Sequence, residues 1–232
     1  GRELHGRRRA RRLRPGQQRV MEELLPRLSV PLPAEEGATV DPEALFDPAP
    51  RAVWLEIGFG AGEHLVWQAR EHPDVGLIGA EIFQDGIARL LRRAEEAGVA
   101  ERVRLHQGDG RGLLDALPEA SIERAFVLFP DPWPKTKHHK RRIVQPQQLD
   151  QLARVLTDGA ELRLATDDPG YQRWMLIELQ RHPAFAWTAR RPADWQQRPA
   201  DWPATRYEQK AVGQGRTPLF LRYVRKARGE IA

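Results

Sequence analysis

From residue 51 onward short apolar runs alternate with amphipathic ones, and this alternation constrains the fold more than any other feature of the chain. Runs at 52–57, 75–82, 103–106, 124–129 and 161–166 read as strands. Between them, 62–70, 84–97, 147–156 and 171–181 carry helical periodicity. In 84–97, Ile87, Leu90, Leu91 and Ala94 fall on one side and Gly98 supplies the stop. Pro146 opens the next helix, where its missing N–H costs nothing. Further strands are expected at 185–190 and 219–225. Strands that alternate with helices predict an α/β fold, a Rossmann-like and mostly parallel sheet with helices on both faces. In such a sheet, ligands sit beyond the carboxyl ends of the strands.

The 232 residues suit one domain with an appendage. Residues 1–50 are expected to form a basic arm, a short amphipathic helix over 17–28 and a connector with five prolines; residues 51–232 form the domain. The net charge of +5 is uneven: residues 1–19 hold eight arginines against Glu3, a local +7 that leaves the rest of the chain near −2. An arm of that kind seeks polyanions. There is no run of eighteen apolar residues and no apolar segment behind the arginines, so neither a membrane span nor a secretory signal is expected. Cysteine is absent, which removes disulfides and thiol chemistry and fits a cytoplasmic setting. A monomer and a homodimer are equally compatible with the sequence. Arg-Pro-Ala-Asp-Trp occurs at 191–195 and again at 198–202, a local duplication read as loop.

Three strand ends carry acids. The first runs into Glu56-Ile57-Gly58-Phe59-Gly60-Ala61-Gly62, where glycines permit a tight turn and close approach of a ligand. A carboxylate beside that turn would repel a pyrophosphate and suits a ligand with an ammonium and a sulfonium, such as S-adenosylmethionine. Glu81 ends the second strand and stands where a ribose would offer its hydroxyls. Asp109, between Gly108 and Gly110, follows the third and stands where an adenine amino group would be met. The fourth strand leads into Phe129-Pro130-Asp131-Pro132-Trp133-Pro134-Lys135, then Lys137, His138, His139, Lys140, Arg141 and Arg142. Prolines on either side restrict the backbone around Asp131, and the basic run that follows suits phosphates. The two histidines have no third ligand at a useful spacing, so no metal is expected.

Together with Gly79-Ala80-Glu81, Ala165-Thr166-Asp167, Thr205-Arg206-Tyr207-Glu208 and the Pro-Gly-Gln-Gln-Arg at 15–19, these motifs resemble the bacterial tRNA (guanine-N7-)-methyltransferases, the TrmB family, over nearly the whole chain. The resemblance implies a class I methyltransferase fold, with seven strands and an antiparallel last one. It implies that Glu56, Gly58, Gly60, Glu81, Asp109 and Asp131 hold S-adenosylmethionine, with Asp131 also the catalytic residue. It implies that Lys135, Asp167, Thr205, Arg206, Tyr207 and Glu208 face the substrate and that residues 137–142 meet tRNA, with the variable-loop guanine as target. Two alternatives stay open at this stage. One is a methyltransferase for exocyclic amines, suggested faintly by Asp131-Pro132-Trp133; the other is a non-catalytic RNA-binding scaffold.

Overall fold

The computed structural model describes residues 13–231; of the arginine arm expected over residues 1–19, the first twelve lie outside them. In chain order the regular elements are α1 (Pro15–Glu23), α2 (Leu25–Leu28), β1 (Ala52–Ile57), α3 (Glu63–Glu71), β2 (Val75–Glu81), α4 (Gln84–Glu96), β3 (Val103–Gln107), α5 (Gly110–Ala116), β4 (Ile122–Leu128), α6 (Pro146–Val155), β5 (Leu156–Thr166), α7 (Pro169–Arg181), β6 (Phe185–Trp187), α8 (Ala193–Gln196), α9 (Arg206–Gly213) and β7 (Leu219–Arg225). The strands form one seven-stranded sheet in the order β3-β2-β1-β4-β5-β7-β6. β1 to β5 pair in parallel, and β7 runs antiparallel to both β5 and β6. The α/β fold with an antiparallel last strand is therefore present as expected. The strand order reverses between β1 and β4, which opens a crevice at their carboxyl ends.

Alternation along each strand divides two cores. Val53, Leu55 and Ile57 of β1 join the apolar cluster under α5, α6 and α7, whereas Trp54 joins the one under α1, α3 and α4. Residue 56 shares the parity of Trp54, so Glu56 looks toward α3.

Several local departures have physical causes. The helix expected over 17–28 is two, because Pro26 has no N–H for the ladder. Val20, Leu24, Leu25 and Leu28 from this pair are buried in the cluster that contains α4. The proline-rich connector also packs down: Val30 N–H donates to Leu105 O at 2.9 Å and Val40 N–H to Ala116 O at 2.9 Å. Phe46 lies so close to Gly76 that a Cβ there would sit 2.7 Å from its ring. β5 starts directly after α6, earlier than its apolar run, and carries Gly159 at φ +79°. α5, α8 and α9 are not in the sequence expectation, and α8 replaces part of the duplication read as loop; α5 and α9 start at polar residues that cap them, Asp109 accepting from Arg111 N–H and Thr205 from Glu208 N–H. The duplicated pentapeptides diverge, since Trp195 is only partly buried and Trp202 is 1% exposed.

Candidate active site

A cavity of about 340 Å³ opens at the ends of β1, β2, β3 and β4. Its walls include Gly58 and Gly60 from the first strand end, Glu81 and Phe83 from the second, and Asp109 and Arg111 from the third. Phe129, Asp131 and Trp133 come from the fourth, and Arg141 and Tyr207 close the rim.

The glycine turn needs its glycines. Gly58 and Gly60 take φ of +76° and +56°, the left-handed region a side chain disfavours. Behind the turn Gly86 of α4 packs so tightly that a Cβ would lie 2.3 Å from Gly60 O. Glu81 anchors the turn from the other side. Its Oε2 accepts from Gly60 N–H at 2.8 Å, and its Oε1 accepts from Ile82 and Phe83 N–H at 2.8 and 3.0 Å. Burial pushes the Glu81 carboxyl up from its ordinary value, those three bonds pull it partly back, and the nearby Asp131 charge raises it further.

Asp131 is exposed to the cavity, yet the surrounding walls withhold enough water to push its carboxyl up as well. Phe129 and Trp133, on either side of it, have φ of +50° and +45°. Such backbones cost about 1–3 kcal/mol each in non-glycine residues and persist where surrounding structure enforces them, commonly at functional sites. Phe129 N–H donates to Ala165 O at 2.7 Å, so the chain leaves the β4 edge held by β5. Tyr207 is 57% exposed and its ring approaches Gly60, at 3.1 Å from where a Cβ would stand. Its hydroxyl is pushed up by burial of that end and by the charges of Glu81 and Asp131.

Asp109 is engaged by its own helix. It accepts from Arg111 N–H at 3.0 Å and from Arg111 Nη1 at 2.9 Å. The other arm of that guanidinium donates to Arg141 O and Arg142 O at 2.9 and 3.0 Å, which ties the third strand end to the basic segment. Nothing in Asp109-Gly110-Arg111 signals this, because the acceptors lie thirty residues away.

The structure thus gathers Gly58, Gly60, Glu81, Asp109, Asp131, Arg141 and Tyr207 around one space. Other expected residues lie elsewhere. Glu56 is 3% exposed and absent from the cavity wall; its Oε2 accepts from His64 Nδ1 at 2.8 Å, while Gln68 Nε2 donates to His64 Nε2 at 3.0 Å. Strand parity explains this, since β1 turns that side chain toward α3. Arg142, expected to meet RNA, is 3% exposed; its Nε donates to Pro132 O at 2.8 Å and its guanidinium lies over the rings of Tyr171 and Trp174. It fastens the basic segment down from within. Thr205 and Glu208 serve α9: the first caps it and the second accepts from Arg198 Nε at 3.1 Å. Asp167 pairs with Arg216 at 2.8 Å beyond the end of β5 and does not line the cavity. Lys135 stands immediately before a 3-10 helix, Thr136–Arg141, on which Lys137 and Lys140 are exposed. His138 and His139 meet the rings of Trp133 and Trp174 edge-on. Arg206 faces a different groove.

Residues 50–221 match a family described as "Putative methyltransferase". A tRNA (guanine-N(7)-)-methyltransferase of Rhodospirillum rubrum is 51% identical over 97% of this chain and 88% of its own. That of Paramagnetospirillum magneticum is 52% identical over 96% of this chain and 92% of its own. The chain belongs to the tRNA (guanine-N7-)-methyltransferase family. Solved structures agree on the fold. A 16S rRNA methyltransferase, KamB, superposes with a TM-score of 0.54 at 14% identity, covering 76% of this chain and 89% of its own. The 16S rRNA (adenine(1408)-N(1))-methyltransferase of Catenulisporales acidiphilia does so with 0.53 at 17%, covering 85% and 98%. A [4+2]-cyclase, SpnF, reaches 0.54 at 14% identity with 91% and 97% covered, so the shared architecture does not by itself specify a reaction. For this member of the tRNA (guanine-N7-)-methyltransferase family, the chemistry must be argued from the residues around the cavity.

Proposed function

We propose that this chain transfers a methyl group from S-adenosylmethionine to N7 of a guanine in tRNA, with the variable-loop guanine as the target. The observation that carries the reading is one cavity in which a glycine turn, Glu81 and Asp131 converge beneath an aromatic and cationic rim.

The residues present fit the donor. The cavity has the size of a small-ligand site, and the carboxylates in its wall suit a molecule bearing an ammonium and a sulfonium. Gly58 has nothing within 4 Å of where a Cβ would stand, which leaves room for a ligand at the turn. When bound, the donor supplies an electrophilic methyl group. Glu81, its orientation set by three backbone donors, retains lone pairs to accept ribose hydroxyls. Asp109 shares its carboxylate with Arg111 and stands where the base would enter. Glu56 acts at one remove, holding the start of α3 against the end of β1 through His64.

Guanine N7 has a free lone pair, so no base is required and catalysis rests on alignment. The purine becomes cationic as the bond forms. Asp131, facing the cavity with its carboxyl pushed up by partial desolvation, stabilises that charge more in the transition state than before it. The same carboxylate can accept from guanine N1–H and the exocyclic amine, which adenine does not match. Trp133 and Tyr207 offer ring faces, and Arg141 lies over the Trp133 ring at 5.0 Å. Lys137 and Lys140 are placed for phosphates. A tRNA substrate puts the site of action in the cytoplasm, and residues 51–232 would carry the chemistry.

Incubating the protein with unmodified tRNA and labelled donor, then hydrolysing to nucleosides for mass spectrometry, tests the reading. N7-methylguanosine is the expected product. Methyl on an exocyclic amine, or none, would overturn it.

A further inference from the structure

A second concavity, about 450 Å³, lies beside the cavity described above, and its wall holds Arg14, Arg89, Arg92, Arg93 and Arg206 against one acid, Asp85. Arg14, Arg89, Arg92 and Arg206 are exposed. Arg92 and Arg93 each give one nitrogen to a carboxylate, Glu96 at 3.1 Å and Glu63 at 3.2 Å, and keep their remaining donors. Among the described residues no carboxylate pairs with Arg14, Arg89 or Arg206. These three arginines therefore leave uncompensated positive charge on a concave wall, which attracts an anion.

The position is informative. Phe83 and Tyr207 line the cavity, while Asp85 and Arg206 line the groove, so the ends of α4 and α9 form a partition between the two. Arg206 is held there because its N–H donates to Glu63 Oε2 at 2.7 Å. On another part of the cavity rim stands Arg141, at the end of the basic 3-10 helix. The cavity thus has cations on two sides, from segments far apart in sequence. The chain also enters the groove at Arg14, immediately after an arginine-rich stretch (residues 2–12).

We propose that this arginine groove is a second phosphate-binding site for the RNA, gripping the backbone on the side of the target nucleotide away from residues 136–141. The inference rests on reading the cavity as a guanine site. Arginine forks suit phosphate oxygens better than any other side chain does, and two anchors around one base would resist its rotation out of line. The contacts are to backbone and carry no sequence information.

The test is tRNA binding by the full chain and by the Arg89→Ala/Arg92→Ala variant across a salt series. The variant is expected to bind tRNA at least tenfold more weakly at about 0.1 M salt. Its plot of log affinity against log salt should be shallower by about 1.4–1.8, the loss of two phosphate contacts. Unchanged donor affinity and melting temperature would show the variant folded; if it does not fold, Arg89→Gln/Arg92→Gln carries the same expectation. Equal affinity and equal slope in a wild type and variant that both bind tRNA would overturn the groove while leaving the proposed activity standing. A wild type that binds no tRNA would overturn both. Phosphatidylglycerol vesicles and inorganic tripolyphosphate serve as further arms: loss of either in the variant, with tRNA affinity intact, would assign the groove to that anion and overturn the proposal.

Discussion

The carboxyls of Asp131 and Glu81 are both pushed up from their ordinary values, but for different balances of causes, and this separates their expected mutational behaviour. A carboxyl raised in the folded state binds its proton more tightly there than in the unfolded chain. Stability is therefore lost as pH climbs from the unfolded value through the folded one. Asp131→Asn should remove that penalty: the variant should melt higher than wild type at neutral pH, with the difference vanishing below about pH 4, while methyl transfer is lost and donor affinity stays within a few fold. Scanning calorimetry at two pH values checks the first part, and a wild type that melts higher at pH 7 would contradict it. Glu81→Ala should behave oppositely, because it strips the acceptor from three N–H groups. Losing these part-buried bonds, each worth about 0.5–1.5 kcal/mol, is expected to lower the melting temperature and raise the donor dissociation constant together. Calorimetric titration with the donor measures the latter. The same scale shows where reading residues one by one stops working. Glu56 and Arg142 look like ligand and phosphate contacts because their neighbours in sequence are glycines or cations. What decides their roles is His64 for the first and Tyr171 and Trp174 for the second, partners that come from α3 and α7.

The elements themselves were largely legible, because apolar patterning is a local property and β1 and β2 are buried along nearly their whole length, β3 at alternate residues and β4 over its last four. The elements that sequence missed are those whose starts carry glycine or charge. α5 opens with Gly110-Arg111-Gly112, and α9 with Arg206-Tyr207-Glu208; both depend on a capping oxygen and on packing that no pattern announces. The single helix expected over 17–28 fails for a plainer reason, the missing amide of Pro26. Packing between elements has its own test at Gly86, where α4 presses its backbone on the glycine turn. Gly86→Ala should push Gly60 out of place and weaken donor binding by tenfold or more while the far-UV circular dichroism of the sheet persists; an unchanged dissociation constant would sink this account. In the basic segment, Arg142→Lys should lower the melting temperature because a lysine reaches neither the Pro132 carbonyl geometry nor the two rings. Lys140→Ala should leave melting alone and flatten the salt dependence of tRNA binding by about one unit.

At the scale of the whole molecule, charge and fold are separable. Buried arginines such as Arg142 and Arg163 serve the fold, whereas the exposed ones are available to a polyanion. Removing residues 1–12, which carry six arginines, is expected to weaken tRNA binding with a salt slope lower by about 0.7–0.9 for each arginine that engages a phosphate. Filter binding at several ionic strengths would measure it, and an unaltered slope would make that segment irrelevant to RNA. Family likeness implied seven strands with an antiparallel last one, but the strand order lay beyond periodicity, since a parallel sheet can be wound in several orders from one pattern of runs. The cavity has a consequence of its own. Its walls arrive from four strand termini spread over 73 positions of chain, Gly58 to Asp131. No contiguous fragment short of the assembled β1–β4 sheet can present it. Warming should therefore extinguish donor capture and backbone ellipticity over one shared transition, which makes catalytic half-life a faithful thermometer of global folding.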